Sequence, residues 1–354
     1  MAVDLAACVT SFLVAFIILP VIIKYSIRKN LVDVPGRRKI HKKITPSLGG
    51  IAIFISFLIA SFIWMDFDQW NEVRYVLASL FIVFLLGVRD DLVPFRALHK
   101  LYGQIVAVII LSFSSVHINS LYGFLGWGEL PPYAGPIITA FTVIVITNSF
   151  NLIDGLDGLA AGVGILALAS FGLWFYLVND HVYALYCFAM IGGILAFLVF
   201  NWEPSDIFMG DTGAMVIGML LAILVIHFMN VNYDLSAAHP YKFTATIASA
   251  AAFIIVPLCD TLRIVILRLS KRQSPFRPDK SHIHHALIRL GLNHSTTVII
   301  LVSVNAIYIL GAFLLRSVGD KYMIPAILLF AIVLSLILDR LIITKLSTKA
   351  SSHD

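Results

Sequence analysis

Residues 134–178 read AGPIITAFTVIVITNSFNLIDGLDGLAAGVGILALASFGLWFYLV, two long uncharged runs (134–150 and 159–178) on either side of a short polar segment, Asn151 to Gly158. Each run is long enough to cross a hydrocarbon core of about 30 Å, where every backbone N–H and C=O has to be satisfied within its own segment, so each is expected to be a helix. The pattern repeats along the chain about eleven times, at 5–25, 48–64, 73–88, 101–116, 134–150, 159–178, 182–200, 214–229, 244–267, 296–315 and 323–338. Of the 354 residues, 60% are hydrophobic and 13% charged, about half the charged share of a soluble domain. The expected fold is an all-α, polytopic membrane helical bundle of about eleven transmembrane helices, one integral-membrane domain over 1–354, with the bilayer as its solvent and no nucleic-acid partner. Cys8, Cys187 and Cys259 all lie in apolar runs without paired spacing, which argues against a disulfide framework or a zinc site. Leu5-Ala6-Ala7-Cys8 precedes its apolar run, and no basic segment stands before it, so the first run is read as an uncleaved span.

An odd number of spans puts the termini on opposite sides, and the basic residues choose between the two orientations. All of the 25 Lys and Arg except Arg74, Lys242, Arg316 and Lys321 fall in alternate connections or the C-terminal tail. That places the N-terminus outside and the C-terminus in the cytoplasm. The net charge of +5 is thereby concentrated on one face, which suits anionic headgroups and phosphorylated substrates, although topology alone produces the same asymmetry.

The chemistry-bearing residues fall on that same face. Adjacent Asp90 and Asp91 follow the third run, where two like charges near low dielectric invite a hard, oxygen-liganded cation such as Mg²⁺; an acidic helix-end turn is the plainer alternative. If the segment after the fifth run is helical, Asn148, Asn151, Asp154 and Asp157 share a stripe suited to a polar ligand or a metal's hydration shell, while the Asp-Gly pairs also fit ordinary turns. Gly210-Asp211-Thr212-Gly213 opens the eighth run, where a helix N-terminus favours an anion and where Asp211 could equally serve as an N-cap. The connection 269–295 is dense in cations, among them Arg277, Lys280, His282, His284 and His285. With a helix starting near Ser281, His282 and His285 would share a face and His284 would turn away; no thiolate or carboxylate spacing supports zinc, and donation to phosphate oxygens fits better. The first inside loop, Asp33 to Lys43, carries Lys39 and His41 and runs into Gly49-Gly50, a cationic strip leading to a close helix packing. Asp260 and Arg263 read as an intramembrane ion pair. The segment 118–133, rich in Gly, Trp, Tyr and Pro, reads as an interfacial hairpin without chemistry.

Carboxylates from three runs and cations from two loops around one patch form a phosphoryl-transfer layout, in which charge neutralisation and in-line positioning do most of the work. An ion-coupled secondary transporter is the alternative, but transporters place such groups near the midplane within repeated halves, and no internal repeat is evident here.

Asp33-Val34-Pro35 with Arg38-Lys39-Ile40-His41, Asp90-Asp91, Asn151 to Ala160, Met209 to Gly213, and Ser274 to His285 together resemble the polyprenyl-phosphate N-acetylhexosamine-1-phosphate transferases, in family order and over nearly the whole chain. His282-Ile283-His284-His285 looks like the branch that takes UDP-N-acetylglucosamine to prime O-antigen, enterobacterial common antigen or teichoic acid, since the peptidoglycan branch usually has three consecutive histidines. The resemblance implies Mg²⁺ or Mn²⁺ at Asp211 with Asn151 and Asp91 near it, and catalytic roles for Asp90, as base, and Asp91. It implies a nucleotide-sugar site at Asn148, Asp154, Asp157, Arg277, His282, His284 and His285, and Lys39 and His41 at the lipid phosphate. It also implies a UDP-N-acetylhexosamine donor, an undecaprenyl-phosphate acceptor, the inner membrane with the site facing the cytoplasm, and compatibility with a homodimer.

Overall fold

The computed structural model describes residues 1–31, 45–274 and 282–351, and its fold is carried by helices. In chain order these are α1 (Ala2–Arg28), α2 (Gly49–Trp64), α3 (Trp70–Leu92), α4 (Ala97–Leu111), α5 (Ala134–Ile153), α6 (Leu159–Leu177) and α7 (His181–Asn201). There follow α8 (Gly210–Asp234), α9 (Thr246–Phe253), α10 (Ile255–Ser270), α11 (Ile283–Arg289), α12 (His294–Leu314) and α13 (Asp320–Ser351). Every apolar run of the sequence holds a helix, the fourth only as far as Leu111. Among the described residues, seven helices are long and apolar enough to cross a membrane, or eight if the bent pair α9 and α10 forms one span; α2 and α4 are apolar but shorter. The protein is a multi-pass helical membrane protein.

The α8 helix is the axis of the bundle. Nearly all of its apolar side chains are buried, and it packs against α2, α3, α5, α6 and α9. Outside this core, α1 and α13 turn rows of Leu, Ile, Val and Phe outward, as lipid-facing helices do. Lipid tails are as apolar as leucine, so helices in a bilayer are held by close packing and interhelical hydrogen bonds. Small residues supply the packing. A Cβ added at Gly50 would stand 2.0 Å from Gly213 N, and one at Gly87 2.4 Å from Thr212 Cα, so α2 and α3 meet the start of α8 backbone to backbone. The Gly49-Gly50 expectation holds.

The ninth run corrects the reading of one continuous span. Helix α9 ends at Phe253, α10 begins at Ile255, and their axes differ by 91°. Pro257 has no N–H and its ring would collide with the carbonyl four residues earlier, that of Phe253, which disfavours a straight helix at this point. A break among buried residues exposes backbone groups that need partners. The fully buried Asn305 of α12 supplies them, accepting from Val256 N at 3.3 Å and donating to Phe253 O at 3.1 Å. The N-terminus of α9 is held from a distance by Asp320, whose carboxylate accepts from Ile247 N (3.2 Å) and Ala248 N (2.7 Å). An isolated bridge between Ser120 and Glu129 closes the 118–133 hairpin.

Substituting Gly87 by Val is expected to cost about 1–3 kcal/mol through overpacking against Thr212. Gly311→Ala, where an added Cβ meets nothing within 4 Å, is expected to be neutral or mildly stabilising. Thermal melting of the two purified variants in detergent separates the outcomes.

Candidate active site

Five chain segments meet at one end of the bundle. Asp90 and Asp91 lie in the last turn of α3, Lys100 in the first turn of α4, Asn148 and Asn151 near the end of α5, Asp211 in the first turn of α8, and the histidines around α11. Asp91 organises the centre. One of its oxygens accepts from Asp211 N (2.8 Å) and the other from Thr212 N (3.0 Å) and Thr212 Oγ1 (2.5 Å), so it caps the α8 N-terminus from a different helix. Asp211 is therefore a capped residue of the first turn rather than the N-cap itself. The left-handed Gly210 (φ 72°) leaves no room for a side chain, since a Cβ would lie 2.1 Å from Ser47 O and 2.7 Å from Asp91 Oδ2.

Asp211 Oδ1 accepts from Asn151 Nδ2 at 2.7 Å and from Lys100 Nζ at 2.9 Å. The same ammonium pairs with Asp90, whose other oxygen accepts from Phe95 N at 2.5 Å and so fixes the turn between α3 and α4. Asp90 and Asp211 also lie within hydrogen-bond reach of each other. Two carboxyls this close require a shared proton or a cation between them. Asn148 is one turn from Asn151 and donates to Gln104 Oε1 (2.9 Å), which brings α4 to the same face.

Asp154 and Asp157 lie in a non-helical turn between α5 and α6, which corrects the expected helical stripe: α5 ends at Ile153, and Gly158 adopts φ 82° with its N–H donating to Asn201 Oδ1. Burial pushes the Asp154 carboxyl up to about 8, and the nearby charges of Asp211, Asp91 and Asp157 act in the same direction. Asp154 therefore belongs electrostatically to the same cluster.

The histidine segment also departs from expectation. His282 precedes α11 as its N-cap residue, so helical spacing does not relate it to His285. His284 is buried instead of turned away. Its ring lies parallel to that of His282 (5.6 Å, 8°) and close to that of His285 (4.3 Å), and its Nε2 would be 2.7 Å from a Cβ at Gly155. The α11 segment is thus seated on the turn that carries Asp154. Asp260 binds His282 and not Arg263, while Arg263 donates to Asp339 at 2.7 Å. Lys39, His41 and Arg277 lie outside the described residues.

Two participants, Lys100 and Gln104, have no assignment from the sequence, and Asp260 is paired there with Arg263 instead of His282. Lys100 had a signal, as a lone cation at the head of an apolar run ten residues after Asp90. The described residues contain no grouping of three or more acidic, Cys or His side chains with metal-binding geometry, and Lys100 pairs with both Asp90 and Asp211. The donors themselves fit a hard cation. Asp90, Asp91 and Asp211 offer carboxylate oxygens and Asn151 an amide oxygen beside its donor Nδ2, and one ammonium leaves the carboxylates with surplus negative charge.

Burial pushes the His284 imidazole down to about 4, with the charges of His285 and His282 acting the same way. An unfolded histidine at 6.5 gains its proton first as pH falls, so this group removes stability between pH 6.5 and 4, by at most about 3 kcal/mol. Melting curves from pH 7.5 to 4.5 are expected to fall less steeply for His284→Gln than for the parent protein.

The description "glycosyl transferase family 4" matches residues 73–229, the stretch that holds Asp90, Asp91, Lys100, Asn151 and Asp211. A probable undecaprenyl-phosphate N-acetylglucosaminyl 1-phosphate transferase of Bacillus subtilis is 33% identical over 88% of this chain and 84% of its own length. An undecaprenyl-phosphate alpha-N-acetylglucosaminyl 1-phosphate transferase of Yersinia pestis is 31% identical over 79% of this chain and 75% of its own. The enzyme of that name from Escherichia coli K12 is 29% identical over 84% of this chain and 77% of its own. By identity and coverage the chain belongs to glycosyl transferase family 4, as a phosphoglycosyltransferase of the branch that holds these relatives.

Proposed function

We propose that the protein transfers N-acetylhexosamine-1-phosphate, with GlcNAc-1-phosphate the first choice, from a UDP-sugar to undecaprenyl phosphate and releases UMP. The observation that carries this is the junction of Asp90, Asp91, Lys100, Asn151 and Asp211 at the helix ends, with His284 seated on the turn of Asp154. A membrane enzyme with a phosphate-handling site at one end of its bundle suits an acceptor whose headgroup enters from the bilayer. Most Lys and Arg fall in alternate connections of the sequence, which, with eleven spans, supports an external N-terminus and an active site on the cytoplasmic face of the inner membrane. This would be the first membrane step of cell-surface polysaccharide assembly, and two copies could work as a homodimer. The transporter alternative has no support, because the carboxylates sit at helix ends rather than midway along broken repeats.

In the reaction an oxygen of the lipid phosphate attacks the sugar-bearing phosphorus. The bond from that phosphorus to the bridging oxygen breaks, and UMP carries the charge away. Asp211, Asn151 and Asp91 would hold Mg²⁺, with Mn²⁺ as a substitute. The ion supplies charge neutralisation on the diphosphate and helps keep attacking and leaving oxygens in line. Asp91 keeps Asp211 in place through the α8 amides. Lys100 holds Asp90 and Asp211 together and offers N–H donors to phosphate oxygens. A phosphate monoester with a second pKa of about 6 is already largely dianionic at neutral pH, so Asp90 contributes chiefly by positioning and little as a base. His282, His284 and His285, with Asn148, Asp154, Asp157 and Arg277, would receive the nucleotide sugar. Lys39 and His41 would meet the lipid phosphate.

Purified protein with UDP-GlcNAc, undecaprenyl phosphate and Mg²⁺ is expected to release UMP, and EDTA to abolish the release. Asp211→Asn is expected to lower turnover at least ~10²-fold. A folded protein that releases no UMP with any of a panel of UDP-sugars, or an Asp211→Asn variant with unchanged turnover, would overturn the proposal.

A further inference from the structure

Asp260, in the second turn of α10, is 2% exposed, and an isolated carboxylate buried inside a membrane helix is costly. Its near neighbour Arg263 is committed elsewhere, to Ser335 (3.0 Å) and Asp339 (2.7 Å). Both Asp260 oxygens are instead spent on one segment 22 residues further along the chain. Oδ2 bonds His282 Nδ1 at 2.8 Å, and Oδ1 accepts from Ile283 N at 2.9 Å. His282 is itself buried, at 6% exposure.

We propose that Asp260 is a positioning residue for the nucleotide-sugar site, acting through His282. This deepens the function proposed above and rests on it. A carboxylate that accepts from Nδ1–H fixes the ring orientation and, in the neutral ring, leaves Nε2 on the far side as an acceptor for a hydroxyl or N–H of the nucleotide sugar. The second bond, to the Ile283 amide, fixes where α11 starts. Together they set the His282–His284 stack, and through His284 the seat of α11 on the Gly155 turn beside Asp154. The chain of contacts Asp260, His282, His284, Gly155 ties the inner half of the broken span to the nucleotide-sugar side of the site. The role is positional, since Asp260 is screened from that side by the imidazole it holds.

The test uses the full chain in nanodiscs with UDP-GlcNAc and undecaprenyl phosphate. Asp260→Asn keeps the shape and removes the charge. It is expected to raise KM for UDP-GlcNAc about ten-fold or more and leave KM for the lipid unchanged. Adding Asp260→Asn to His282→Ala is expected to have no further effect. A purely structural carboxylate would lower the melting temperature and the active fraction without this donor selectivity. If Asp260→Asn does not fold, Asp260→Glu, which keeps the charge but displaces it by one methylene, is expected to show the same donor-selective change. A second arm needs no turnover: amide exchange at 283–285 is expected to quicken at least ten-fold in the variant, with α12 unaffected. Additive kinetic effects, equal changes in both KM values, or unchanged exchange would overturn the positioning role while leaving the transferase intact. Absence of UMP release by the parent protein would instead end the transferase proposal and this one's substrate with it.

Discussion

The carboxylate of Asp91 accepts the first amides of α8 from across a helix interface, and the site is assembled around that cap. The first N–H groups of any helix lack intrahelical partners, and where lipid replaces water none can be left without one. Meeting them with a side chain from α3 binds two distant parts of the chain at the place where Asp211 emerges. The cap is geometrically possible because Gly50, Gly87 and Gly213 let α2, α3 and α8 touch backbone to backbone. One steric condition therefore serves both packing and chemistry.

Charge balance is the second constraint. Asp90, Asp91, Asp154 and Asp211 crowd one end of an apolar bundle, and Lys100 bridges two of them. Such a cluster holds its geometry only while cations offset its repulsion. In the proposed reaction, a divalent ion and the phosphates it accompanies enter a site already arranged for that exchange. The histidine segment is managed differently: His284 is kept neutral by burial, and His282 is held by Asp260. One carboxylate system is bridged by an ammonium and the other is closed by an imidazole.

The break between α9 and α10 connects fold to site. Pro257 stops the helix, Asn305 satisfies the freed backbone, and the 91° change of direction gives α10 its own course, with Asp260 turned toward the histidine segment. A straight span through this region would need no such partner from α12. A buried polar residue on one helix thus secures the placing of a carboxylate on another.

Length, apolar runs and the distribution of Lys and Arg determine from the sequence that this is a helical membrane protein, because a bilayer admits so few solutions for the backbone. The motifs at Asp90, Asn151, Asp211 and His282 were equally legible, since polar residues are costly in such a chain and therefore stand out. What the sequence left open were pairings across long separations: Lys100 to Asp211, Asp91 to the α8 amides, Asp260 to His282 in place of Arg263. Helical spacing relates residues three or four apart and says nothing about which helix end lies opposite. It also misplaced His284, because α11 starts after His282 rather than before it, and the Asp154–Asp157 turn, where α5 has already ended. Those choices belong to the tertiary structure, in which close packing of small residues decides which carboxylate reaches which donor.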